Sequence, residues 1–167
     1  ESLEEISQRG IVRKYQTPMV YDELTVRKNL TIAATAGTQD NLHERIKDTL
    51  GKIRLTDQQD QEAGTLDHGR KQWLEMGMVL ANGPRLMLLD EPTAGMTNEE
   101  TKQTANLIES MNASGLSIIV IEHDMDFIRD LDSRVTVLQS GSVLAQGDID
   151  EVEADERVQE VYIGGDV

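Results

Sequence analysis

The sequence predicts an α/β fold in which a mostly parallel sheet carries a helical insertion. Three observations predict it. Leu86-Met87-Leu88-Leu89 and Ile118-Ile119-Val120-Ile121 are short apolar runs, as in buried parallel strands covered by helices on both faces. Each run ends abruptly in polar residues, Asp90-Glu91-Pro92 after the first and Glu122-His123 after the second. The stretches before and between them show helical periodicity, so a helical lobe precedes alternating strand and helix. In open α/β sheets, ligands bind beyond the carboxyl ends of the strands, which is where this pattern delivers two carboxylates and an imidazole.

The elements follow in order. Glu1 to Arg9 is acidic and helix-compatible, and Gly10 to Tyr15 reads as a short strand ending at Gln16, since Pro18 forbids a helix there. Leu24 to Ala36 reads as a helix capped by Thr25, with Val26, Leu30 and Ala33 on one face. Leu42, Ile46, Leu50 and Ile53 make a second helical stripe, whose plainest reading is ordinary packing within the lobe. Thr56 to Gly64 is a loop or a weak turn. A long helix is expected from about Asp67 to Ala81, with Trp73, Met76, Gly77 and Leu80 facing inward, stopped by Asn82-Gly83-Pro84. Thr97 and Glu100 form a capping box for a helix carrying Leu107, Ile108 and Met111, which Ser114-Gly115 ends. Asp124 caps a short helix to Leu131. Arg134 to Gln139 and Val143 to Gln146 read as a hairpin through Ser140-Gly141-Ser142, and one terminal helix reaches about Tyr162.

The composition bounds function. A chain of 167 residues with 38% hydrophobic content can bury a genuine core. A net charge of −15 argues against a nucleic-acid partner, because phosphate backbones reward basic patches, although acidity also simply favours solubility. Without cysteine there is no disulfide framework and no thiolate metal site, which fits a reducing compartment. No apolar run approaches the ~20 residues that span a bilayer, so membrane association is expected only through a partner. The first residue is Glu1, and no G-x-x-x-x-G-K-[ST] phosphate loop occurs; Gly51-Lys52 lacks both the earlier glycine and the following hydroxyl. The chain is therefore expected to be a fragment of a longer protein.

In order along the chain, Gln16, Leu66-Asp67-His68-Gly69-Arg70, Asp90-Glu91 and His123 resemble the Q-loop, signature, Walker B and switch histidine of the ATP-binding subunit of an ABC transporter. The resemblance spans essentially the whole chain and the later part of the family's domain. It implies a partial P-loop NTPase core with a helical subdomain at about 18–81, the remainder being 1–17 and 82–167. The N-terminal strands and phosphate loop would be absent. It also implies ATP and Mg2+ as ligands and ATP hydrolysis by the intact protein, with negligible ATP affinity for the 167 residues alone. By resemblance Asp90 holds the metal through its water shell, Glu91 orients the attacking water, His123 contacts the γ-phosphate, and Gln16 senses metal and water. Phosphoryl transfer needs such a carboxylate-bound metal and a group that positions the nucleophile. Each residue also has a plain reading: a strand followed by an acidic turn, a structural histidine, a polar residue after a strand. His43 reads as surface.

The signature departs from the usual Leu-Ser-Gly-Gly-Gln: Asp67, His68 and Arg70 replace its serine, first glycine and glutamine, leaving Gly69. In the family this helix start meets the nucleotide of the partner subunit, as helix N-termini bind anions. Asp67 still suits an N-cap, but a carboxylate ~4 Å from a phosphate charge is repelled by about 4 kcal/mol at an effective dielectric of 20. Arg70, three residues on, either neutralises Asp67 or contacts phosphate itself; the alternative is a degenerate, weakly hydrolysing site. Thr93-Ala94-Gly95-Met96-Thr97 corresponds to the D-loop, with Thr97 where many members have aspartate. Ala94-Gly95-Met96 and the Val161-Tyr162-Ile163-Gly164 ending resemble the branched-chain amino acid and urea uptake branch, and His68 to Met78 looks most like its urea members. The implied protein is a cytoplasmic subunit, peripheral on the membrane's inner face. It pairs with a second ATPase subunit, identical or not, and with membrane permeases docked on the helical lobe, without nucleic acid or direct insertion. The alternatives are a non-transport ATPase of the family and a non-catalytic regulatory or structural subunit.

Overall fold

In the computed structural model, residues 9–13, 20–35 and 41–163 are described. They form β1 (Ile11–Arg13), α1 (Val26–Ala34), α2 (Leu42–Lys52), α3 (His68–Leu80), β2 (Leu86–Asp90), α4 (Asn98–Ala113), β3 (Ser117–Ile121), α5 (Met125–Asp130), β4 (Val135–Gln139), β5 (Ser142–Gly147), α6 (Ile149–Glu153) and α7 (Glu156–Ile163). The chain divides into two compact units between Glu122 and His123, and the lobe expected at 18–81 falls within the first.

In the first unit β1, β2 and β3 pair in parallel in that order. Ile11 faces Leu86, and the β2–β3 register runs from Leu86–Ser117 to Asp90–Ile121. Parallel pairing needs long crossovers. The first carries the helical lobe and the second carries α4. The lobe rejoins the sheet at the amino ends of β1 and β2, where Gly10 O accepts from Arg85 N at 2.8 Å and Leu86 N at 3.1 Å. Met87 and Leu89 are buried, so β2 sits in the core as its apolar run predicts. β3 does not. Ile119 and Ile121 are 52% and 60% exposed, because β3 is the edge strand among the described residues.

Caps decide where the lobe's helices begin. Thr25 accepts from Lys28 N, while Val26 N and Arg27 N donate to Gln61 O and Gln59 O at 3.0 and 2.9 Å. The segment from 56 to 65, two short 3-10 turns, thus satisfies the amides that the start of α1 leaves without intrahelical partners. Asn29, fully buried, completes the joint. Its Oδ1 accepts from Tyr21 N at 2.8 Å, and its Nδ2 donates to Tyr21 O, Leu24 O and Thr25 O. Arg45 reaches the other end of α1, donating to Ala34 O at 3.0 Å and to Ala81 O, just past α3, at 2.8 Å. One cation thereby serves the negative ends of two helices. Val26, Leu30, Leu50, Ile53, Leu74 and Met76 form the apolar centre of the lobe.

In the second unit, the Asp124 carboxylate accepts from Asp126 N and Phe127 N and starts α5. β4 and β5 form the expected antiparallel hairpin, with a register shift between Val137 and Leu138. Ser140 and Gly141 both take positive φ, the backbone of a tight hairpin turn. The single terminal helix expected from sequence is two. The chain breaks at Ala154-Asp155, where the Asp155 carboxylate takes Arg157 N at 2.9 Å and the Arg157 guanidinium at 2.6 Å, starting α7 afresh.

Candidate functional site

The site begins at the carboxyl end of β2. Asp90 is the last residue of the strand, opposite Ile121 in β3. Glu91 N donates to Ile121 O at 2.9 Å, which carries the ladder one step past the strand. Glu91 has φ of +46°, a left-handed conformation that non-glycine residues adopt rarely and at a cost of about 1–3 kcal/mol. This sharp reversal turns the chain out of the sheet. Asp90 and Glu91 are therefore consecutive residues whose backbones run in different directions at one strand end.

The turn that follows is pinned from β3. Thr93 is 8% exposed, and both its N–H (3.2 Å) and its hydroxyl (2.7 Å) donate to Glu122 Oε1. In the sequence Glu122 only ends an apolar run, with nothing that gives it this part. Its signal was an acidic residue directly after a strand; its partner, across 29 positions, had no local trace.

Around α3 the structure joins two segments that the sequence keeps far apart. Asp67 caps the helix, accepting Arg70 N at 2.8 Å, and its other oxygen takes the Arg70 guanidinium at 2.6 Å. Arg70 and Asp67 thus form an ion pair on the first turn of the helix. His68 Nε2 lies 2.9 Å from Ala94 O. Glu100 closes the capping box on Thr97, taking its N–H at 2.8 Å and its hydroxyl at 2.7 Å. It also lies against Gly69 at the start of α3, where a Cβ would come 2.6 Å from Oε1. These contacts hold the Glu100 carboxyl below the usual carboxylate range: the Thr97 N–H foremost, then the Thr97 hydroxyl, with the Gly69 N–H and the His68 charge adding. One turn deeper, Trp73 Nε1 donates to Thr104 Oγ1 at 2.9 Å in a buried contact.

Of the remaining expected residues, Gln16 lies outside the described residues, and His43 is exposed as expected. His123, also exposed, opens the second unit directly ahead of the Asp124 cap. Among the described residues, no three His, Asp or Glu side chains gather as a metal-binding group. Two adjacent carboxylates at a strand end still fit magnesium, which takes one or two protein carboxylates and fills its shell with waters and phosphate oxygens. No glycine-rich phosphate loop stands in the sequence to cradle a nucleotide's phosphates.

Residues 2–94 match the ABC transporter family. The chain belongs to that family. Its curated relatives include the high-affinity branched-chain amino acid transport ATP-binding protein LivG of Salmonella typhimurium, 29% identical over 179 residues, covering 96% of this chain and 70% of the relative. The corresponding protein BraF of Pseudomonas aeruginosa is 27% identical, with 95% and 69% covered. Among solved structures, the ADP conformation of an ATP-binding cassette of an ABC transporter superposes with a TM-score of 0.85 at 28% identity, over 98% of this chain and 72% of that one. A nucleotide-free ATP-binding cassette gives 0.84 at 27%. The fold is thus that of an ABC ATPase, and the chain is of the ATP-binding, transport-subunit type. No helix among the described residues is long and apolar enough to cross a membrane.

Proposed function

We propose that the intact ABC subunit hydrolyses magnesium-ATP at the Asp90–Glu91 strand end to power a membrane importer of branched-chain amino acids. The supporting observation is that strand end itself: two consecutive carboxylates beyond a buried parallel strand, with Glu91 turned out of the sheet and the following turn tied down through Thr93 and Glu122. Magnesium and nucleotide together would supply a phosphoryl group made electrophilic by the metal's charge. Asp90 would hold the ion through its water shell. Glu91 would orient the attacking water and draw its proton, His123 would hydrogen-bond the γ-phosphate, and Gln16 would sense metal and water. The start of α3 (Asp67, His68, Gly69, Arg70) and Thr97 would face a nucleotide held by the partner ATPase subunit, and the permeases would dock on the helical lobe.

The resemblance of the sequence puts urea or short-chain amides ahead of branched-chain amino acids; the relatives named above favour the second. Two experiments test the proposal. In the full-length protein reconstituted with its permeases, Glu91→Gln is expected to lower kcat at least ~100-fold while nucleotide still binds, as removal of a positioned general base does. Turnover near the unmodified rate would remove Glu91 from its role. Vesicle uptake of labelled leucine and valine, but not urea, is expected; uptake of urea alone would reverse the substrate assignment.

A further inference from the structure

We propose that Glu100 is a positioning residue that fastens the first turn of α3 to the 94–97 turn, so that both segments meet a partner's nucleotide as one piece. The inference rests on the functional reading above, which puts both segments at the nucleotide.

The contacts are reciprocal. A capping-box glutamate ordinarily spends one oxygen on its own helix. Here Oε2 takes the Thr97 N–H and hydroxyl, and the other carboxylate oxygen lies against Gly69 of α3. Gly69 makes the room: a Cβ there would lie 2.6 Å from Glu100 Oε1 and 3.0 Å from its Cδ. In return, His68 of α3 reaches Ala94 O, and Gly95 makes room for it, with φ of +75° and a notional Cβ only 3.2 Å from His68 Nε2. Each segment thus presents a glycine where the other inserts a polar side chain. One helical turn further, Trp73 and Thr104 repeat the join at i+4 from Gly69 and Glu100, so the link continues a buried seam. Within the first turn of α3, Asp67 takes Arg70 N and the Glu100 carboxylate packs on Gly69. Both contacts fix the helix in place.

The test uses the full-length protein with its permeases, reading ATP hydrolysis and thermal melting together. Glu100→Ala is expected to lower kcat about 5-fold or more, with KM for ATP within about 2-fold of the unmodified value. Glu100→Gln keeps an accepting oxygen and the side-chain shape and is expected to recover part of that loss, even where Glu100→Ala folds poorly. Glu99→Gln removes the same charge one position earlier, where the side chain contacts Gln103 and not α3, and is expected to leave kcat unchanged. Gly69→Ala, which drives a methyl into the carboxylate, is expected to match Glu100→Ala. Hydrolysis at the unmodified rate by Glu100→Ala, or losses in kcat that follow the melting temperature equally in Glu99→Gln and Glu100→Gln, would overturn the proposal. Absence of ATP hydrolysis in the unmodified complex would instead overturn the functional reading on which it stands.

Discussion

The Trp73–Thr104 hydrogen bond allows a sharp test of how α3 and α4 are held together. Thr104 is fully buried and Trp73 is 6% exposed, so neither the indole N–H nor the hydroxyl has ready access to solvent. Thr104→Val keeps the β-branched shape and removes the acceptor. The indole N–H is then orphaned in the interior, which costs about 1–3 kcal/mol. For a domain of this size that lowers Tm by roughly 2–12 °C. The hydroxyl's other contacts, to Glu100 O at 2.8 Å and Met96 Sδ at 3.2 Å, add little, because a helical carbonyl is already bonded within its own ladder and a thioether is a weak acceptor. The deciding measurement is a double-mutant cycle by urea denaturation. Trp73→Phe removes the donor, so adding Thr104→Val in that background should be nearly neutral, giving a coupling of at least ~1 kcal/mol. Strict additivity, or a Thr104→Val protein as stable as the parent, would refute the reasoning.

Other perturbations follow from the same geometry. Asn29→Leu removes one acceptor and a donor shared among three carbonyls, so unfolding should be easier by about 2 kcal/mol or more, measured by denaturant midpoint. Arg45→Met should loosen the ends of α1 and α3 by about 1.5–3 kcal/mol, with faster amide exchange near Ala34 and Ala81. Asp155 is held at about 2, first by its hydrogen bond to the Arg157 side chain and then by the Arg157 N–H. Its folded value lies below the unfolded one, so its stabilising contribution is complete above about pH 4 and disappears as pH falls toward 2. Asp155→Asn should flatten that part of the acid-unfolding curve, and an unchanged curve would contradict the assignment. Isothermal titration of the 167-residue polypeptide with magnesium-ATP should show negligible binding, since it has no phosphate loop.

Features governed by neighbours three or four positions apart were legible in the sequence. Thr25, Asp67, Asp124 and the Thr97–Glu100 box all start helices where their residue types say they should. The two apolar runs became parallel neighbours, and their polar ends came to the same side of the sheet. What remained hidden depended on distant residues. Nothing in Ile118 to Ile121 says whether another strand lies beside it, so its exposure could not be foreseen. The Asp67–Arg70 pairing could be anticipated because it is local. Glu100 on Gly69 and Glu122 on Thr93 could not, since each joins residues about 30 positions apart. The break at Ala154-Asp155 was in principle readable, because Asp155 followed by Arg157 is itself a helix start.

The sheet's two crossovers are unequal, and that inequality orders its assembly. β2 and β3 are separated by a single helix, whereas the whole lobe intervenes between β1 and β2. Closing about 70 residues rather than about 26 costs roughly 1 kcal/mol more in chain entropy. The β2–β3 ladder is therefore the cheaper nucleus, and β1 is recruited only after the lobe has condensed enough to bring Gly10 back to Arg85. The paired carboxylates ride on the strand that forms early, while β1 is delivered late. A damaged lobe would thus show itself first in slow capture of β1, with the carboxylate-bearing strands already joined.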